Sequence, residues 1–269
     1  MADTWRFIDT GSCPAAYNMA LDEAIAVAVR KDLAPPTLRV YGWVAPSLSI
    51  GCFQRAEDID SRYCSKKQIP IVRRPTGGRG ILHGNEMTYS FSAKTTSGLF
   101  SKGLLDSYKR ISSAIGLALT KAGLSPELKL MKEMKRSSVS SGRVNNPFCF
   151  RSISFGEISV NGKKIVGSAQ KRWPDGLLQQ GSIPFLVDED EIVKIFRLDY
   201  LREIEESMTG LREISPELDY GILKEALRIS FEEVFEVKFI FSYPSVKEVS
   251  LAREMEVQKY LSNEWTFGR

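Results

Sequence analysis

The chain has a single histidine, His83, so no metal site built on two or more imidazoles can form within it. Its four cysteines, Cys13, Cys52, Cys64 and Cys149, are scattered and include no CxxC pair, which argues against both a zinc site and a disulfide framework. No apolar run approaches the ~18 residues of a membrane helix. The first residues, MADTWRFIDTG, lack a basic start followed by an apolar stretch. A net charge of +4 is too small for the strongly basic domain that nucleic-acid binders usually carry. The expectation is a soluble, cytoplasmic protein that binds neither nucleic acid nor membrane and keeps its cysteines as free thiols, available as nucleophiles.

What is present is an ordinary globular composition: 269 residues, 43% hydrophobic and 26% charged. That supports one large domain, or one domain with a small appendage. Pro14 is placed to open a helix, and Leu21, Ala24, Ile25, Ala28 and Val29 form an apolar stripe at helical spacing. Strand-like runs follow at 37–41, 47–51, 69–74 and 87–92, with a glycine-rich turn at 75–80. A helix is expected over 104–122, a polar basic loop over 129–147, and strands over 153–160, 163–170 and 177–185. The remainder reads as helical, with Ser215-Pro216 and the Ser245/Glu248 pair as helix starts. Clustered strands with helices between them predict an α+β fold with a mixed, mainly antiparallel sheet flanked by helices.

Three segments can carry chemistry. Arg73-Arg74-Pro75-Thr76-Gly77-Gly78-Arg79-Gly80-Ile81-Leu82-His83 delivers two arginines into a glycine-rich loop. Glycines let the backbone approach a ligand, and arginines suit phosphate or pantetheine-phosphate groups. The plainer reading is a tight hairpin with surface arginines. The loop is no nucleotide fingerprint, since it lacks both GxGxxG and the Walker lysine-hydroxyl end. Within it, His83 reads as a pin for the loop rather than a general base. Second, Asn161-Gly162 signals a hairpin, and the strand after it carries Lys164 and the small residues Gly167-Ser168-Ala169, against which a narrow ligand can lie. From spacing alone an ordinary hairpin lysine is the simpler reading. Third, Cys149 stands between Phe148 and Phe150 at the end of the basic loop. A cysteine among aromatics is usually core, but a nearby ammonium would favour its thiolate.

Taken together these segments resemble the biotin/lipoate ligase and acyltransferase superfamily. RRPTGGRGILH is similar to its arginine–glycine loop, NGKKIVGSAQKR to its lysine strand, and LLQQGSIPF to the strand that follows. The run Asn18-Met19-Ala20-Leu21-Asp22-Glu23 and TLRVYGW…SLSIGCFQ also match, so the likeness runs from about residue 8 to about residue 190 and more loosely beyond. Thr76–Arg79 looks most like the loop of the cysteine-dependent octanoyltransferases of the LipM type, whereas lipoate ligases more often have three consecutive glycines. Those acyltransferases also place a cysteine-phenylalanine pair shortly before the lysine strand, where Cys149-Phe150 stands. Two positions depart from the family: Gly84 where an aspartate follows the histidine, and Gln180 where a histidine is common.

The resemblance implies a ligase-type catalytic domain over 1–240, with 241–269 as its helical extension, and a buried acyl tunnel beside the glycine loop. It implies Cys149 as nucleophile and Lys164 as its partner. Arg73, Arg74, Thr76, Gly77, Gly78, Arg79 and His83 on the loop, and Gly167, Ser168, Ala169 and Gly181 on the strands, would contact substrate. The implied reaction moves an octanoyl group from octanoyl-acyl carrier protein, through a Cys149 thioester, to a lysine of a lipoyl-domain protein such as glycine cleavage H protein or a dehydrogenase E2. Neither metal nor ATP is needed, because the thioester is already activated. The basic loop, Lys129, Lys132, Lys135, Arg136 and Arg143, would dock acidic carriers. Alternatives are a lipoate–protein ligase using ATP and magnesium, an octanoyl amidotransferase between lipoyl domains, and a non-catalytic acyl-carrier binding protein.

Overall fold

The computed structural model of the chain describes residues 3–96, 98–129, 157–198 and 201–268. Strand β1 (Thr4–Cys13) alternates its side chains across the sheet: Trp5 and Phe7 enter one core cluster and Ile8 another. The same period governs β2 (Thr37–Trp43), where Leu38 and Val40 face the first cluster and Tyr41 and Trp43 the second. In β6 (Glu86–Lys94), Met87, Tyr89, Phe91 and Ala93 join the first cluster. Glu86, Thr88, Ser90 and Ser92 alternate with them and are buried as well. The hydroxyl-bearing face of this strand is therefore an interior polar surface, and the site lies on it.

These strands belong to an eight-stranded sheet, with β7 (Glu127–Lys129), β8 (Glu157–Val160), β9 (Lys163–Arg172), β10 (Gly176–Pro184) and β11 (Lys238–Ser242). The order is β11-β1-β2-β6-β10-β9-β8-β7. The β11–β1 and β1–β2 pairs are parallel; the pairs from β2 to β7 are antiparallel. The mixed, mainly antiparallel sheet predicted from sequence is present. Asn161 and Gly162 join β8 to β9 with φ of +51° and +75°, the left-handed pair that a two-residue hairpin turn demands.

Helix α1 (Ala15–Arg30) covers the polar face, while α3 (Leu104–Lys121) and α7 (Tyr220–Phe235) cover the apolar one. A second sheet sets β3 (Ser47–Ile50) between β4 (Ile71–Arg73), parallel, and β5 (Ile81–His83), antiparallel. It packs with α2 (Ser61–Lys66), α4 (Glu189–Phe196) and α5 (Arg202–Ser207) around Leu48, Ile50, Ile195 and Ile204. No helix among the described residues is long and apolar enough to cross a membrane.

Two local expectations fail. Ser215-Pro216 does not start a helix: Ser215 ends α6 (Leu211–Ile214). Helix α7 begins four residues after Pro216, where Asp219 accepts the Ile222 amide at 2.8 Å, a carboxylate cap that satisfies a first-turn donor. The C-terminal part is not wholly helical either. KFIFS at 238–242 forms β11, whose aromatic and β-branched residues favour a strand once β1 offers an edge. The expected division at 240/241 falls inside that strand. The Ser245/Glu248 capping box does open α8 (Val246–Met255), and Glu248 also takes a buried bidentate bond from Arg6 at 2.9 and 2.5 Å, fastening α8 to β1. A π-turn over 256–260 leads into α9 (Asn263–Phe267).

Candidate functional site

The glycine loop leaves β4 with two adjacent arginines whose side chains part ways, as strand alternation requires. Arg73 is fully buried and donates to the carbonyls of Gly51 at 2.7 Å, Gln54 at 2.6 Å and Thr266 at 2.8 Å. It ties the start of the loop to α9. Arg74 turns back on the loop itself, donating to the carbonyls of Gly77 at 2.8 Å and Arg79 at 2.6 Å and to Ser49 Oγ at 3.0 Å. These bonds give the loop its shape from within. Gly78, at φ +87°, lays its carbonyl against Gly51, where an added Cβ would stand 1.9 Å from that oxygen. Only glycine at 51 permits the approach. Thr76 is buried and donates to Gln180 at 2.8 Å.

The facing wall comes from β9 and β10. Gly167, Ser168 and Ala169 pair with Ser182, Gly181 and Gln180. Tyr89 of β6 lies across Gly181 to reach Ser168 Oγ at 2.7 Å, and a Cβ on Gly181 would come within 2.2 Å of the tyrosine ring. Burial pushes the Tyr89 hydroxyl up to about 12, so it stays protonated and bonds as a phenol. Gly181→Ala is expected to cost about 1–3 kcal/mol through this overlap, measured by denaturant unfolding against the wild type. On its outer edge β9 is paired with β8 from Lys163 to Val166. Lys164 is 5% exposed, and its carbonyl accepts the Thr209 amide at 3.2 Å. Lys163 is half-buried.

Between loop and wall runs a narrow cleft. Its lining includes Arg74, His83, Gly167, Ser168, Ala169 and Gly181, which the sequence had marked, together with Met19 and Gln180. Arg73 serves behind it, and Thr76 reaches it through Gln180. Gly77 and Arg79 are half-buried and Gly78 exposed on the outer side of the loop. Cys149 lies outside the described residues, as do Lys132, Lys135, Arg136 and Arg143. Lys129 ends β7.

His83 is held on three sides. Its Nε2 meets Ser49 Oγ at 2.7 Å, its Nδ1 meets Glu86 Oε1 at 2.8 Å, and its ring stacks on Trp43 at 4.0 Å between centroids. The Glu86 carboxylate can only accept, so His83 Nδ1 carries a proton directed at it. Burial alone would raise the Glu86 carboxyl. His83 beside it, with bonds from His83, Thr88 and Ser182, more than offsets that and holds it below the ordinary range. Sequence inspection marked His83 as a pin for the loop but could not supply these partners, which arrive from β2, β3 and β6.

A second buried network joins residues that the sequence does not connect. Asp22 of α1 accepts from Arg39 at 2.6 Å, Ser90 at 2.6 Å, Tyr41 at 2.8 Å and Gln180 at 2.7 Å. Burial, followed by the Asp22 charge, pushes the Tyr41 hydroxyl well above its usual value, so it remains a donor. The prior signals were the NMALDE run, which holds Asp22, and the departure from the family at Gln180.

Comparison with known proteins covers the whole of this architecture. The model of the lipoyl protein ligase A/B catalytic domain matches residues 14–232. Octanoyltransferase LipM of Carboxydothermus hydrogenoformans is 38% identical, with 98% of this chain and 99% of that protein covered. Octanoyltransferase LipM of Geobacillus kaustophilus is 35% identical, with 99% of each covered. Among solved structures, lipoate-protein ligase A bound with ATP superimposes with a TM-score of 0.81 at 22% identity, covering 100% of this chain and 99% of that one. The bipartite lipoate protein ligase of Thermoplasma acidophilum, from a study that included its E2 lipoyl domain, gives 0.80 at 22% identity, covering 99% and 97%. At that identity the structures speak for the fold alone, while the family model and the full-length relatives show the family: the chain belongs to the lipoyl protein ligase A/B catalytic domain family.

Proposed function

We propose that the chain transfers an octanoyl group from octanoyl-acyl carrier protein to a lysine of a lipoyl-domain protein, by way of a thioester on Cys149. The observation that carries this reading is the end-to-end similarity to octanoyltransferases, at 38% identity over 98% of the chain. Arg74 and Ile81 of the glycine-loop segment and Gly167–Ala169 of the Lys164 strand line one cleft, which supports it.

In this scheme the Cys149 thiolate attacks the carbonyl carbon of the incoming thioester, and the carbon–sulfur bond to the carrier breaks. The carrier thiolate leaves and takes up a proton. The acceptor amine then attacks the Cys149 thioester, loses a proton and forms an amide, returning the thiolate. Each step passes through an oxyanion. This scheme assigns the Lys164 ammonium and backbone amides near Gly167–Ala169 to that oxyanion, with Lys164 also relaying the protons. The acyl chain lies in the cleft beside the glycine loop. The open volume there is about 20 Å³, room for roughly one water, so an eight-carbon chain enters by displacing side chains. Met19, unbranched and flexible, lies in that wall and is the residue suited to turn aside.

The test is an acylation assay on a lipoyl domain. With octanoyl-acyl carrier protein, octanoylation is expected to proceed without ATP or magnesium. Free octanoate or lipoate with ATP is expected to give little product. Strong modification from the free acid that depends on ATP would replace this reading with a ligase.

A further inference from the structure

Gln180 of β10 is 5% exposed, and both ends of its amide are engaged. Nε2 donates to Asp22 Oδ2 at 2.7 Å, with Met19 Sδ at 3.4 Å, while Oε1 accepts from Thr76 Oγ1 at 2.8 Å. The direction follows from the partners. Asp22 is fully buried and already takes bonds from Arg39, Ser90 and Tyr41, so it is an acceptor and the amide must turn its NH2 group toward it. The carbonyl then faces Thr76, whose hydroxyl must donate. Thr76 in turn takes the Cys52 amide on its carbonyl at 2.9 Å. One side chain thus links α1, the large sheet and the glycine loop, and it does so in the wall of the cleft.

We infer that Gln180 is a positioning residue: through Thr76 it holds the glycine loop at the width the acyl chain requires. The inference rests on the octanoyl-transfer reading above. Its requirement is specific, one donor toward Asp22 and one acceptor toward Thr76. The charged and titratable groups around that amide are Asp22 on α1, Arg39 and Tyr41 on β2, Arg74 at the loop and His83 on β5, with Glu86 of β6 behind His83.

Three substitutions read the requirement. Gln180→Glu places a second carboxyl against Asp22. Two carboxyls sharing a site cannot both ionise easily, so this one keeps its proton to an unusually high pH. Protonated, it still donates to Asp22 and accepts from Thr76; ionised, it repels Asp22. Gln180→Leu can do neither at any pH. Gln180→His, as a neutral ring, offers one donor and one acceptor.

The experiment measures octanoyl transfer from octanoyl-acyl carrier protein to a lipoyl domain, each variant as a ratio to wild type at the same pH, so that titration of the thiol cancels. Gln180→Glu is expected to fall at least ~10-fold in this ratio between about pH 5.5 and about pH 8.5. Gln180→Leu should lose about 10-fold throughout, mostly as a raised KM for the acyl carrier, and Gln180→His should recover most of the activity. A flat ratio for Gln180→Glu, or wild-type transfer by Gln180→Leu, would overturn the inference. If the wild type transfers nothing, the functional reading fails instead. The bridge is then read from melting temperatures, where Gln180→Glu should lose stability relative to wild type as pH rises and a constant difference would count against it.

Discussion

Cys149→Ala is expected to lower the rate of lipoyl-domain octanoylation on the order of a thousandfold or more, because no other group in the scheme can carry the acyl chain between its two carriers. Two of the three other thiols are buried. Cys64 is buried against the small sheet, where burial pushes its thiol up to about 11, and a protonated thiol is a poor nucleophile. Cys52 is buried under the glycine loop, with its amide committed to Thr76. The assay is single-turnover transfer from octanoyl-acyl carrier protein, with melting temperature as the check on folding. Transfer by Cys149→Ala at the wild-type rate would end the thioester route.

Lys164→Ala is expected to lose on the order of a hundredfold in the same assay, the size associated with removing a positioned acid/base or oxyanion donor. Its neighbour provides the control. Lys163 has the same charge one residue away, but it is half-buried where Lys164 is 5% exposed, and its field is felt at Glu189 on α4. Lys163→Ala should be close to neutral in turnover. Melting temperatures of both variants against wild type separate a loss of chemistry from a loss of folding. Equal losses from the two substitutions would mean that the strand register has been misread and that Lys164 has no special role.

The two arginines of the loop show how far sequence could go. The alternation of a strand guarantees that Arg73 and Arg74 point to opposite faces, but it does not say which one faces the cleft. Only the position of α9, nearly two hundred residues later, shows that Arg73 is enclosed by carbonyls. Local signals fared well wherever the determinant is local. Asn161-Gly162 makes its turn through its own backbone, and Ser245 with Glu248 closes its own capping box. Strand β11 was missed because five residues carry little periodicity and its partner, β1, is at the other end of the chain. Ser215-Pro216 misled because a better cap, Asp219, lies four residues on.

The site divides in the same way. Its glycines, its lysine and its single histidine are visible as unusual residues in short motifs. The partners that give them meaning are not, because Ser49, Glu86 and Trp43 reach His83 from three different strands. Gln180 looked like a departure from a family pattern and proves to be the link between Asp22 and Thr76. A buried polar network of this kind leaves no periodic trace, since each member sits at a position that reads as core.

The central claim is that the acyl group rests on Cys149. Intact-protein mass spectrometry tests it most directly, after incubation with octanoyl-acyl carrier protein and no ATP. The wild type is expected to gain one octanoyl group that hydroxylamine removes, and Cys149→Ala is expected to gain none. An unmodified wild type, or an adduct that persists in Cys149→Ala, would contradict it.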